Sequence, residues 1–417
     1  MIGSIGNPVI VDTDRPFSIK NVALFKYFNR DLSNPGFLRF FLQHAANRMQ
    51  QSATGGLQPF VSLGFLRSYP IALPPLAEQH RIVAKVDELM AKCDRLEAAR
   101  AEREEIRDRF AAASLARLNV PHPDTFRNDA RFALVALPAL TARADQIKQL
   151  RQTILNLAVH GKLVPQDPSD EAASELQARL AATYSSEKVD GRRRGKRSVI
   201  AAGPIEEPPY ELPSNWVWAR MGELGNTNIG LTYSPADVSD EGYPVLRSNN
   251  IQGGRIDLSG LVRVRTRPKD SVMVQQGDML ICARNGSRAL VGKAALIERL
   301  PEPMAFGAFM AIFRSPINRY LHLFLSSPVF RQVIDEVNTN TINQITQANL
   351  RSTLVALPPF VEQHRIVAKV DELMALCDLL VASLATAEDT RRRLLEALLA
   401  EALTPDEERE RDAVAEE

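Results

Sequence analysis

The chain has 417 residues, of which 45% are hydrophobic and 24% charged, and its formal net charge at pH 7 is +1. A chain of this length is expected to fold as two or three globular units rather than around a single core. The nearly neutral charge excludes a surface that is basic all over, so any surface for nucleic acid must be local.

The cysteines and the hydropathy pattern indicate the compartment. The three cysteines, at 93, 282 and 377, have no paired spacing, which argues against a disulfide framework and against a zinc site. No segment approaches about eighteen uncharged apolar residues, and no basic stretch leads into a hydrophobic run at the start. We therefore expect a cytoplasmic protein with neither a membrane span nor a signal peptide.

Composition and periodicity divide the sequence into six parts. In chain order they are an incomplete α/β module (1–75), a long charged helix (76–118), a connecting region (119–212), a complete module with a mixed sheet and irregular loops (213–358), a second long helix (359–403) and a disordered acidic tail (404–417). The connecting region is expected to contain a helix over 146–163, which Gly161 ends, and a basic, Pro-rich linker over 185–212. The Arg-rich run GRRRGKR in this linker either contacts DNA phosphates or forms a solvated hinge.

An internal repeat is the most informative feature of the sequence. Ala72–Met90 reads ALPPLAEQHRIVAKVDELM, and Ala356–Met374 reads ALPPFVEQHRIVAKVDELM. In each copy the paired prolines end the preceding strand and fix the backbone before a helix, where a missing N–H costs little. A period this long indicates a duplicated domain that ends in a long helix, rather than a solenoid.

Each repeated helix carries apolar residues in alternating steps of four and three, which predicts a seam packed along another helix. The seam residues are Ile82, Val86, Leu89, Cys93 and Leu96 in the first helix, and Ile366, Val370, Leu373, Cys377 and Leu380 in the second. Two related helices in one chain most simply form an antiparallel pair with an approximate two-fold axis. The polar residues at the helix starts (Glu78, Gln79, His80, Arg81, Glu362, Gln363, His364, Arg365) are interpreted as scaffold or partner-docking groups, since the two histidines have no companion metal ligands.

These features together resemble the specificity subunits of type I restriction-modification enzymes. The matching stretches are LPSNWVWARMGEL, PVLRSNNI, GDMLICARNGS, VGKAALI, ALPPFVEQHRIVAKVDELMALCD and IKQLRQTILNLAVHGKLVPQDP. The resemblance covers most of residues 60–400, and the duplicated LPP–EQ–RIV helix is its most specific part. It implies an α+β fold with two target-recognition domains, separated by two long antiparallel helices that form a coiled-coil spacer with pseudo-two-fold symmetry.

The resemblance also implies a non-catalytic subunit that binds a bipartite site in double-stranded DNA. Catalysis would belong to partners, namely two adenine-methyltransferase subunits and the restriction subunits. S-adenosylmethionine, ATP and Mg are then expected in those partners, and no cofactor is expected in this chain. One departure concerns Met1–Pro8, which looks like the family's mid-module Gly-rich loop, so we expect the first half of the first recognition domain to be absent.

Sequence readout requires side chains with paired donors and acceptors on loops that reach a groove, while basic residues hold the phosphates. Residues 216–355 contain 15 Lys and Arg against 11 Asp and Glu, a local basic excess. The candidate DNA-binding residues are Arg247, Ser248, Asn249, Asn250, Arg284, Asn285, Ser287, Arg288, Lys293, Asn343, Gln344 and Thr346. The competing interpretation of these loops is turn chemistry, because Asn-Gly and Gly-Ser favour turns whatever their function.

Two other functions remain open at this point. Glu207–Tyr210 (EPPY) superficially resembles the loop that clamps a flipped adenine in stand-alone adenine-N6 DNA methyltransferases, although Glu replaces Asp or Asn and no Gly-rich cofactor loop follows a strand. The other function is that of a DNA-independent coiled-coil adaptor, which would explain the helices but not the duplicated modules.

Overall fold

The computed structural model describes residues 7–13, 15–20, 22–26, 31, 33–51, 61–120, 124–186, 205, 207–337 and 343–403. The Arg-rich run at 191–197, the acidic tail at 404–417 and most of the stretch 1–8 lie outside the described residues. The chain divides into two compact units, residues 1–106 and 107–417, and each contains apolar clusters of its own.

The first unit is helical where it is described. It contains α1 (Pro35–Gln51), α2 (Leu63–Ser68) and the first part of α3 (Leu76–Asn119). Asn34 joins α1 to α3: its side-chain oxygen accepts from the Gly36 N–H at 2.8 Å, while its own N–H donates to the side-chain oxygen of Gln79 at 2.8 Å. A small cluster around Ala45 and Val61 forms the core.

The α/β character expected for residues 1–75 is wrong for the part of them that the structure describes, which contains helices and irregular backbone but no strand. In the second unit the strand Leu354–Leu357 precedes the long helix and pairs with Val217–Arg220. The corresponding residues 70–73 have no paired strand among the described residues. Since a strand needs a neighbour to satisfy its backbone groups, the repeat alone does not make these residues a strand.

The second unit contains the end of α3 and all remaining elements of the described chain. Its further helices are α4 (Phe126–Val135), α5 (Leu137–Leu140), α6 (Ala144–Val159), α7 (Ala173–Ser186), α8 (Met221–Leu224), α9 (Asn318–Ser326), α10 (Pro328–Val337), α11 (Gln347–Ser352) and α12 (Phe360–Leu403). Its strands are β1 (Val217–Arg220), β2 (Asn226–Ile229), β3 (Val238–Ser239), β4 (Tyr243–Leu246), β5 (Ile251–Gln252), β6 (Arg255–Ile256), β7 (Val262–Val264), β8 (Met279–Cys282), β9 (Ala294–Leu296), β10 (Ala305–Phe306), β11 (Met310–Arg314) and β12 (Leu354–Leu357).

The strands form three sheets. A six-stranded sheet has the order β2-β11-β8-β9-β6-β5, a four-stranded sheet has the order β10-β4-β7-β3, and β1 pairs with β12. The central strands of the six-stranded sheet, β8 and β11, have apolar sequences because they are buried on both faces. The short turn between β10 and β11 connects the two larger sheets, so loops from both sheets end near each other.

Helix α6 connects the module to the second long helix. It ends at Val159, and Gly161 adopts a φ of 66°, a left-handed conformation in which a Cβ would also lie 2.6 Å from Pro213. Arg151 binds Asp378 and Gln166 binds Glu362, so the chain directions of this segment and α12 are opposite. The shared core contains Ile147 and other apolar residues of α6, together with those of α7, α9, α10 and α12.

The predicted α+β class, with two modules that each lead into a long helix, is confirmed. At 1.5 Å per residue each long helix is about 65 Å long. The antiparallel pairing of the two long helices with each other stays a prediction. Within the described ranges, no helix combines the length and apolarity needed to cross a membrane.

Candidate nucleic-acid interface

The structure brings together the three polar loops that the sequence singles out in the second module. The side-chain amide of Asn285 donates to the Ser248 hydroxyl at 3.2 Å, and its backbone N–H donates to the Asn343 carbonyl at 3.3 Å. The side-chain amide of Asn343 in turn donates to the Gly286 carbonyl at 2.9 Å. Residues 247–250, 284–288 and 343–346, with Phe309, are called the loop cluster below.

Buried neighbours explain why these distant segments meet. The loop at 284–288 follows β8, whereas the loop at 247–250 follows β4 of the other large sheet. Ile345 is buried and donates its N–H to the Ala283 carbonyl at 2.8 Å, which holds the third segment against the end of β8. Arg284 and Gln344 also form an isolated antiparallel bridge.

Phe309 contacts the loop that follows β8, and it was not among the candidate residues predicted from the sequence. Its carbonyl accepts the N–H groups of both Ala283 and Arg284, each at 3.0 Å. The Arg284 guanidinium lies over its ring, 5.5 Å from the ring centroid, and the side chain is 62% exposed. The available signal was weak, because Phe309 stands in the apolar run MAFGAFMAIF, which reads as buried strand.

Several of the candidate DNA-binding residues form contacts that hold the loops in place. Asn250 is only 1% exposed: its side-chain oxygen accepts from the Arg247 N–H at 3.0 Å, and its amide donates to the carbonyls of Asp257 and Ser259 at 2.9 and 3.2 Å. A buried amide with these partners cannot reach a base edge, so we reassign Asn250 to positioning the loop. Thr346 caps α11 by accepting the Asn349 N–H at 3.1 Å.

Arg288 is held by a salt bridge to α10. Its guanidinium donates to the Asp335 side chain at 3.1 Å and to the Asp335 carbonyl at 2.9 Å. Arg331 donates to the same carboxylate at 2.8 Å. Both arginines lower the pKa of Asp335, and Arg331 has the larger effect. Arg288 therefore presents a restrained cation to the surface.

The remaining candidates provide the exposed groups of the cluster. Arg284, Asn249 and Ser287 are exposed, while Arg247, Ser248, Asn285, Lys293, Asn343 and Gln344 are half-buried at its edges. Beneath them, burial raises the pKa of the Cys282 thiol to about 11, so it is neutral near pH 7 and belongs to the core. Guanidinium, amide and hydroxyl groups on rigid loops are the groups that read base edges in the major groove.

The apolar seam of the second long helix, α12, packs against α6. Ile366, Val370 and Cys377 are buried, while Leu373 and Leu380 are half-buried, in the core that includes Ile147 and Ile154. In the first helix Ile82 and Val86 are half-buried, and Leu89, Cys93 and Leu96 are exposed.

The polar residues in the first turns of the two long helices form hydrogen bonds and ion pairs within this chain. Gln363 and Gln79 are both buried, and each side-chain amide donates to the carbonyl of the first proline of its own LPP, at 2.9 and 2.8 Å. His80 contacts the Asn34 side chain at 3.0 Å, and His364 contacts the Phe360 carbonyl at 2.9 Å. Arg365 forms an ion pair with Asp170 at 2.5 Å.

Glu362 joins the helix start to the beginning of the second module. Its two carboxylate oxygens accept from the Gln166 amide at 2.7 Å and from the Trp216 indole N–H at 3.0 Å. Burial raises the pKa of Glu362, and these two hydrogen bonds oppose that shift. Trp216 and Gln166 were not among the candidate residues.

The sequence and fold of this chain match known proteins in both repeats. A family model for the type I restriction modification DNA specificity domain matches residues 3–106 and 213–388, and each match ends within a long helix. The chain is 31% identical over 399 residues to the specificity subunit of the type I restriction enzyme EcoAI of Escherichia coli, covering 92% of this chain and 65% of that protein. It is also 31% identical over 365 residues to the EcoEI specificity subunit of Escherichia coli, covering 83% of this chain and 60% of that protein.

A solved structure shows the same fold. It was described for the complex assembly and conformational transition of the type I R-M system, and the match covers 91% of this chain and 73% of that chain, with a TM-score of 0.51 and 22% identity. The chain spans 65% and 60% of the lengths of the two Escherichia coli relatives. Since the family model matches most of the chain and both copies of the repeat, the chain belongs to the family of type I restriction-modification DNA specificity domains.

Proposed function

We propose that this chain is the DNA-recognition subunit of a type I restriction-modification complex. The observation that carries the proposal is the loop cluster, in which segments separated by up to about a hundred residues form one rigid polar surface. The hydrogen bonds from Asn285 to Ser248 and Asn343 connect the three loops and hold them together before any partner binds. Preorganised loops of this kind lose little entropy on binding, which favours specific readout.

The chemistry of the cluster fits the major groove of double-stranded DNA. Arg284 is exposed and can donate two hydrogen bonds to guanine, while Asn249 and Gln344 can pair with adenine. Arg288 and Lys293 flank these residues and supply charge for phosphates. Such contacts position the module, and the residues at the centre of the cluster read the sequence.

The long helices act as spacer and docking scaffold in this proposal. The first recognition module, in residues 1–75, reads the other part of a bipartite site. Two methyltransferase subunits and the restriction subunits dock on the assembly and carry out the chemistry. S-adenosylmethionine, ATP and Mg are bound by those partners, and this chain has no catalytic role.

One contact argues against a stand-alone methyltransferase. In the EPPY stretch, the Tyr210 ring stacks on His160 with centroids 3.9 Å apart, and its hydroxyl donates to the Val159 carbonyl at 3.0 Å. Trp218 packs edge-on against the same ring, and burial raises the pKa of the Tyr210 hydroxyl. A ring packed in this way is not available to clamp a flipped adenine.

Methylation mapping tests the proposed function. The full chain is co-expressed with its methyltransferase subunit in a host without adenine methylation, and methylated adenines are mapped in the genome. We expect a defined two-part motif that requires this chain, with the methyltransferase subunit alone as control. Methylation of the same motif without this chain, or an intact complex that methylates nothing, would contradict the proposal. The second result would also favour the protein-only adaptor.

A further inference from the structure

Phe309 is an exposed aromatic residue in a position where nothing in the fold requires one. It stands in the turn between β10 and β11, is 62% exposed, and contacts the loop cluster through the Arg284 guanidinium. Its neighbours along the chain, Phe306 and Met310, are buried in the core. The exposed ring therefore contributes little to folding, and its surroundings indicate contact with a ligand.

The backbone fixes the ring in place. The two N–H groups that its carbonyl accepts tie it to the end of β8, and the turn is closed by the Met310 N–H, which donates to the Gly307 carbonyl at 2.8 Å. Gly307 itself donates to the Leu246 carbonyl at 2.9 Å. Both larger sheets thus hold the turn, so a ligand meets an aromatic surface that is already positioned.

The Arg284 guanidinium lies over one face of the ring, while 62% of the Phe309 side chain remains exposed. The guanidinium carbon is 5.5 Å from the ring centroid, within the range of a cation–π contact. A ring with one face covered cannot insert between two stacked bases, which requires both faces. It can still pack against a methyl group at the floor of the major groove, where apolar contact distinguishes thymine from the other bases.

We propose that Phe309 is a specificity-determining residue that recognises the 5-methyl group of one thymine in the target site. Arg284, held against the ring, then faces the base next to that thymine. This inference rests on the proposed function, because it requires that the loop cluster enters the major groove. It adds an apolar reader to a surface whose other readers are polar.

Deoxyuridine substitution tests the inference, because it removes the methyl group and leaves the base pairing unchanged. Duplexes carrying the methylation motif of the complex are prepared with each thymine replaced singly by deoxyuridine. Binding is measured for the complex of the full chain with its methyltransferase subunit. At one thymine, the replacement should weaken binding of the unaltered complex by about fourfold, the loss expected for one buried methyl group. The Phe309→Ala complex should be insensitive to that replacement, and Phe309→Leu should be intermediate.

Leu258→Ala, which alters an exposed apolar residue outside the loop cluster, serves as the matched control and should keep the sensitivity. An unchanged urea-unfolding midpoint shows that each variant is folded. The inference is overturned if no thymine is sensitive, if Phe309→Ala keeps the sensitivity, or if Phe309→Ala weakens all sequences equally, as a ring that only stacks would. If the unaltered complex selects no sequence at all, the proposed function fails with it.

Discussion

The indole N–H of Trp216 donates to the carboxylate of Glu362 at 3.0 Å, joining the beginning of the second module to the first turn of the long helix that follows it. Glu362 is 1% exposed and lies in the first turn of α12, within the repeated EQHRIV segment. The hydrogen bond therefore attaches the recognition module to the spacer helix at a buried point. A module that must place its loops at a fixed distance from a second reader needs an attachment of this kind.

Trp216→Phe tests this attachment directly. An aromatic ring is retained, although phenyl is smaller than indole, and one carboxylate oxygen of Glu362 loses its buried donor, which should lower the free energy of unfolding by about 1–3 kcal/mol. Trp218→Phe is the matched control, because Trp218 packs on Tyr210 and does not contact Glu362. Urea unfolding measures both variants, and equal losses of stability in the two would refute the role of the hydrogen bond.

The titration of Glu362 predicts a pH dependence of stability. Because burial raises its pKa above the usual 4.5, the folded chain holds this proton more tightly than the unfolded chain does. The contribution of Glu362 is therefore fully present below 4.5, and it is lost as the pH rises through the folded-state pKa. Relative to Glu362→Gln, which does not titrate, the unaltered chain should become less stable as the pH rises above 4.5. Unfolding free energies measured at several pH values check this, and a constant difference between the two chains would contradict it.

Asn250 and Asn249 form a pair of neighbours with opposite predicted roles. Asn250→Ala leaves the carbonyls of Asp257 and Ser259 without their donor and should destabilise the module by about 1–3 kcal/mol. It should also weaken DNA binding for all sequences without changing the preferred bases. Asn249→Ala alters an exposed side chain and should leave the free energy of unfolding within about 0.5 kcal/mol. Changed base preference in Asn250→Ala, with unchanged stability, would show that Asn250 reads DNA after all.

Arg284→Ala should relax the specificity at one position of the motif. A bidentate arginine contributes about 1–3 kcal/mol of discrimination, which corresponds to about a 5- to 150-fold preference for guanine. Methylation mapping with the variant complex should show the other positions unchanged. Arg267→Ala, which removes an exposed arginine outside the cluster, should leave the motif intact. A variant of Arg284 that keeps the full motif would remove this residue from the set of readers.

The spacer role predicts the effect of shortening both long helices. Deletion of one heptad from each, residues 95–101 and 379–385, removes about 10 Å of helix while keeping the apolar register. The gap between the two parts of the motif should shrink by about three base pairs, with both parts retained. Deletion from α3 alone is the control for disturbed folding. An unchanged gap after the double deletion would refute the spacer role of the long helices.

The long helices and their repeat could be predicted from the sequence because their determinants are local. Paired prolines, a charged surface and apolar steps of four and three define a helix without knowledge of its neighbours. The neighbour itself was not predicted: Val370 and Cys377 pack on α6, whose own pattern indicated only an amphipathic helix. The link from Trp216 to Glu362 spans 146 residues and has no local signature.

The loops of the candidate site could be chosen from the sequence, but the roles of their residues depend on tertiary contacts. The Asn-rich loops chosen from the sequence come together in the structure, yet Asn250 and Asn249 look alike in the sequence and differ in burial. Phe309 could not be separated from buried neighbours such as Phe306, because the turn that exposes it is set by pairing between sheets.

The most direct test of the central claim is an exchange of the second recognition module. Residues 213–358 are replaced by the corresponding segment of another family member, and methylated adenines are mapped for the complex with its methyltransferase subunit. If this module reads DNA, one part of the two-part motif should change to that of the donor, while the other part and the gap stay the same. A motif that remains wholly unchanged while the hybrid complex is active would contradict the assignment of DNA recognition to this module.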